Sequence, residues 1–140
     1  FYRYFFLAEV FKLNLIMWSN QYLYYNIYSD DSFSEEKETT EIIKILLHTN
    51  CLKQVDHQTF SNTETFPWIN IAFFKTTNGN YASSDRTFEK ANLITIVCSK
   101  NDNKEIYTNL LLQIANELHW NLVLEEDDLG NENIVINGSV

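Results

Sequence analysis

The sequence predicts an α+β fold, an antiparallel sheet built from hairpins with about three amphipathic helices on one face. Three observations carry this. Apolar residues recur at helical spacing in Ile42, Ile43, Leu46 and Leu47, and again in Ile106, Leu110, Leu111, Ile114 and Leu118. The runs WINIAFFKT and ANLITIVCSK lie between those stretches and are rich in the β-branched and aromatic residues of strands. Connections are short, and with three Gly and one Pro there is no Gly-rich crossover of the kind a parallel arrangement uses.

Taken in order, residues 1–11 are expected to form a helix, followed by a hairpin from Leu13 to Tyr28 that turns near Asn20-Gln21. The reason is an internal comparison: LAEVFKLNLIM (Leu7–Met17) lies on IANELHWNLVL (Ile114–Leu124) without gaps, and Ala8, Asn14 and Leu15 meet Ala115, Asn121 and Leu122. In QYLYYNIYS, period-two alternation points Leu23, Tyr25 and Ile27 one way and Tyr22, Tyr24, Asn26 and Tyr28 the other. The tyrosine row reads either as a wet binding face or as cross-strand packing with hydroxyls at the rim.

Ser32-x-x-Glu35 reads as a capping box, so a helix is expected from there to about Asn50. The two strand-like runs follow, joined by TNGNYASSDRTFEK, an extended loop or ragged hairpin around Asn78-Gly79. Asp102 and Glu105 form a second capping pair, opening a helix over residues 102–119. A strand Asn121–Glu125, a turn at Asp128–Asn131 and a strand Ile134–Ile136 make the final hairpin. The sum is α-ββ-α-ββ-α-ββ.

A chain of 140 residues is the size of a single domain, taken here as residues 1–140. It begins with Phe1 rather than Met, which leaves open an N-terminal truncation. Arg3, Glu9, Lys12 and Asn14 interrupt the apolar N-terminus, so neither a membrane span nor a signal peptide is expected. Two cysteines, Cys51 and Cys98, make no disulfide framework, and as unpaired thiols they point to a reducing, cytoplasmic setting.

Net charge is −9, from 10 basic and 19 acidic residues. After Lys104 there is no Lys or Arg, while Glu105, Glu117, Glu125, Glu126, Asp127, Asp128 and Glu132 follow. Asp30 to Glu41 is a second acidic block. This balance argues against nucleic acid and against anionic membrane surfaces, and it suits a basic protein partner.

Recognisable chemistry is scarce. An EF-hand register with Gly130 at position six puts Leu129 at five and Ile136 at twelve, where oxygen ligands are required. His48, Cys51 and His57 lack the paired spacing of a zinc site. There is no nucleophile elbow and no phosphate-binding glycine pattern. No metal, cofactor or enzymatic activity is expected. An enzyme site built from polar residues of the Tyr81–Lys90 loop, which includes Ser83-Ser84-Asp85-Arg86, is the outlying reading.

The run TFPWINIAFF, then NLITIVCSK, then a helix closing on IANELHWNLVLEEDD resembles small acidic immunity proteins of bacterial polymorphic-toxin systems, over roughly Phe66 to Ile136. The resemblance implies a non-catalytic protein that occludes the active site of a cognate, basic toxin. On that reading Glu125, Glu126, Asp127, Asp128 and Glu132 form a hydrated, unpaired tip that steers the partner. Tyr22, Tyr24 and Tyr28 supply anchors, and Trp120 is either a further anchor or core. The alternative is a subunit or regulatory domain of a larger assembly, for which the apolar N-terminus would be a broken interface.

Overall fold

A computed structural model describes residues 21–77, 80–81, 89–100 and 104–136. Its strands are β1 (Tyr22–Tyr28), β2 (Lys37–Glu38), β3 (Leu52–Gln54), β4 (Thr59–Asn62), β5 (Ile69–Phe74), β6 (Thr76–Thr77), β7 (Asn80–Tyr81), β8 (Lys90–Ala91), β9 (Leu93–Ser99), β10 (Asn121–Glu126) and β11 (Glu132–Ile136). The helices are α1 (Thr39–His48) and α2 (Lys104–Leu118). Seven strands form one antiparallel sheet in the order β11-β10-β1-β9-β5-β4-β3. The α+β class and the hairpin-built antiparallel sheet are as the sequence predicts.

One face of this sheet is the core. Leu23, Tyr25 and Ile27 of β1 line up with Ile94, Ile96 and Cys98 of β9, and these with Ile69, Ile71 and Phe73 of β5. Ile42 and Leu46 of α1 and Tyr107, Leu110, Leu111, Ile114 and Leu118 of α2 close over the same face. Both helices therefore sit on one side. Each large side chain removed from water here contributes about 1.5–3 kcal/mol against the entropy of ordering the chain.

On the opposite face the described residues form a second, smaller cluster at one end. There Phe74 and Leu93 pack with Tyr28, Phe33 and Ala72, and the Tyr28 and Phe33 rings lie 4.9 Å apart. Buried Asn92 ties this end together. Its side-chain amide donates to the carbonyls of Phe33 and Thr76, and its Oδ1 accepts from the Thr76 N–H.

Several expectations are corrected. Helix α1 starts at Thr39, not at Ser32. The Asp30 carboxylate accepts hydrogen bonds from the N–H and hydroxyl of both Ser32 and Ser34, an Asx-type turn that takes the serine away from capping. The chain then pairs briefly as β2 with β8, and the Thr39 N–H donates to the Glu89 carbonyl at 2.9 Å.

Strands β3 and β4 were not expected at all. Strand β1 is not free to be the outer arm of a local hairpin either, because from Tyr25 to Ile27 it is paired on one side with β9 and on the other with β10. The expected helix over 1–11, the first arm of that hairpin, the Leu7–Met17 comparison segment, the Asp102 cap and the loop residues 82–88 lie outside the described residues. Strands β6 and β7 pair antiparallel, Thr76 with Tyr81 and Thr77 with Asn80.

Helix α2 ends where the acidic hairpin begins. His119 takes a left-handed conformation (φ 59°) and the Trp120 N–H donates to the Ala115 carbonyl at 3.0 Å, a Schellman closure that swings the chain directly into β10.

Candidate functional site

The β10–β11 hairpin is held by its turn. Asp127 accepts hydrogen bonds from the N–H groups of Leu129 and Asn131 and from the Asn131 side-chain amide, all between 2.9 and 3.0 Å. Gly130, at φ 83°, supplies the left-handed residue that completes the reversal. The Asn131 amide holds the Asp127 carboxyl below its usual range, with the backbone donors and the Lys104 charge adding to it. Asp127 is thus a turn-building residue.

Because β10 pairs with β1, the hairpin tip is carried to the end of β1 where Tyr22 and Tyr24 stand. Between them lies a groove of about 610 Å3. It is lined by Tyr22, Leu23, Tyr24, Lys100, Glu125, Glu126, Asp127, Asp128, Glu132 and Asn133. Of the residues picked out from sequence as partner-binding, the fold gathers all but Tyr28 around this one concavity. Tyr28 sits at the far end of β1, packed on Phe33.

The carboxylates are not all free, which corrects the expectation of an unpaired tip. Asp127 is spent on the turn. Asp128 is paired with the Lys100 ammonium, which reaches it from the end of β9. Glu125 accepts from the Asn26 side-chain amide at 3.0 Å. Glu126 and Glu132 are exposed, have no partner among the described residues, and stand opposite each other in the β10–β11 ladder. Burial of the Tyr24 hydroxyl, then the charge of Glu125 and the neighbouring Tyr22, push its pKa up, so it remains a hydrogen-bond donor. Burial followed by the charges of Asp31 and Glu125 does the same for Tyr28.

The tyrosine row is neither bare nor sealed. All four outward positions of β1 are half-buried, and Tyr22 packs on Trp68 with ring centroids 5.7 Å apart. Trp120, by contrast, is core and not an anchor.

Three residues were missed from sequence. Trp68 keeps 43% of its surface exposed, and the Tyr107 hydroxyl donates to its carbonyl at 2.6 Å. Leu129 is 87% exposed at the hairpin tip. Lys100 is the single cation among the described residues of the groove lining. Leu129 had a readable signal, an apolar side chain in a polar turn with no strand to carry it inward. The Tyr22–Trp68 contact had none, since only the sheet brings the two together.

Chemically, the groove presents anions and π faces to a ligand. Among the described residues, its lining holds no Ser, Thr, Cys or His. No cluster of three or more His, Cys, Asp or Glu among the described residues has metal-holding geometry. Cys51 and Cys98 are free thiols, and burial pushes Cys98 up to about 12. No described helix is long and apolar enough to cross a membrane. No protein-family model matches the chain, and no curated protein matches it.

Proposed function

We propose that the protein is a non-catalytic binding protein that captures a basic protein partner in the groove between β1 and the β10–β11 hairpin. Among the described residues, the convergence of five carboxylates and two tyrosines on one concavity, against the single cation Lys100, is the observation that carries this reading. Carboxylates steer a cationic partner and register its charges, while aromatic faces supply area and cation–π attraction at small entropy cost. Trp68 beside Tyr22 extends the aromatic surface beyond the groove, and Leu129 offers an apolar contact at the hairpin tip. Together they give an interface its usual mixture of anchors and charged periphery.

The partner proposed is a bacterial toxin and the role that of an immunity protein, acting in the cytoplasm by covering the toxin's active site. A basic active-site cleft is the surface an acidic groove complements. The test is neutralisation. Co-expression of the wild-type chain with a toxin encoded beside it restores growth, and E125K/E126K/E132K, which leaves the Asp127 turn intact, loses that protection. Unaltered protection by the triple variant refutes the groove as the binding surface.

A further inference from the structure

We propose that Lys100 is a built-in competitor for the groove, an ammonium that holds Asp128 in the free protein and gives way to a cationic side chain of the partner. The inference rests on the binding reading above and concerns how that site is regulated.

Lys100 is well placed for this. Its backbone N–H donates to the Gln21 carbonyl at 2.8 Å, which fixes the root of the side chain at the end of β9. The preceding residue, Ser99, pairs with Tyr22, so the stem leaves the sheet beside the aromatic edge of the groove. Its side chain is 30% exposed, while that of Asp128 is 72% exposed. The stem is largely covered and the charged pair meets at the surface, where ion pairs are weak and exchange readily.

The hairpin does not depend on this pair. Its ladder to β1 and the Asp127 hydrogen bonds hold it independently. What the pair does change is the groove, since among the described lining residues it neutralises one of five carboxylates with the only ammonium. A partner lysine or arginine that reaches Asp128 must first displace Lys100. Weakly basic ligands are thereby discriminated against relative to ligands that bring several charges.

The experiment is calorimetric titration of the full chain with decalysine at low ionic strength, comparing wild type, K100M, D128N and K100M/D128N. K53M, on the opposite sheet edge, controls for the change in net charge, and K100Q repeats the test should K100M fold poorly. Expected is a gain in affinity of roughly 1.5- to 5-fold for K100M over K53M, the range an exposed ion pair allows. That gain disappears in the D128N background. K100M equal to K53M, or a gain that survives D128N, overturns the competitor while leaving the groove in place. Decalysine that fails to bind wild type, or binds E126Q/E132Q as tightly as wild type, overturns the groove reading and the competitor with it.

Discussion

Glu126 and Glu132 face each other directly across the β10–β11 ladder, like charges in a position where opposite charges stabilise a sheet. With no cation on either among the described residues, the pair costs stability that a neutral substitution recovers. E132Q is expected to stabilise the protein by about 0.2–1 kcal/mol at low salt, read as a rise in denaturation midpoint. The gain shrinks as salt screens the pair. The same substitution weakens capture of a basic partner, and stability and binding moving in the same direction would count against the proposed function.

Asp30 gives the acidic loop its pH dependence. Hydrogen bonds from the Ser34 hydroxyl, the Ser34 N–H and Ser32 lower its pKa from an ordinary 3.8 to about 2. The folded value lies below the unfolded one. Its contribution is therefore complete above about 3.8 and lost as pH falls through about 2. The Ser32 and Ser34 amide resonances should titrate with a midpoint near 2, and D30N should abolish that step.

Cys98 should be inert in the native state. Its thiol is buried on the core face of β9 and pushed up to about 12, so the reactive thiolate is scarce at neutral pH. Native protein with a thiol reagent is expected to label Cys51 alone, and unfolded protein to label both. C98S buries a hydroxyl in the apolar core and should destabilise by roughly 1–3 kcal/mol, measured by denaturant unfolding.

Tyr107 positions Trp68 from the core. Removing its hydroxyl in Y107F deletes the 2.6 Å hydrogen bond to the Trp68 carbonyl. The expected cost is about 1 kcal/mol. Trp68 emission should shift and broaden because the ring loses a fixed seat on Tyr22. Unchanged fluorescence would show that the Tyr22 contact alone holds it.

His119 occupies a left-handed position that a side chain disfavours. H119G should stabilise by about 1 kcal/mol, since glycine takes that conformation without the steric penalty. Thermal unfolding checks it. A loss of stability instead would mean that the imidazole makes a compensating contact.

Much of this architecture was legible because the pattern is local. In residues 104–126 the apolar period switches from helical to alternating within a few positions, and α2 and β10 fall where it does. Strand β9 reads as buried, and it is central. Strands β3 and β4 were invisible for a physical reason: each buries only one apolar side chain, Leu52 or Phe60, so they carry too little alternation to register. The start of α1 was misplaced because a capping box and an Asx turn draw on the same short polar residues, and Asp30 outcompetes. For the site, the carboxylates of the hairpin were plain. Their company was not, because Tyr22 and Lys100 reach the groove, and Trp68 reaches Tyr22, through strand pairing that no short stretch encodes.

The interior placing of β1, between β10 and β9, bears on how the molecule is made. This strand leaves the ribosome long before either neighbour, and it gains β10 only after Asn121–Glu126 has emerged. Its pairing with β10 closes a contact of high sequence separation, the kind of contact that slows folding. The groove, walled by the first and last described strands of the sheet, is the last thing to exist. A nascent or truncated chain lacking β10 is not a feebler binder but an open edge, a template for pairing with its neighbours.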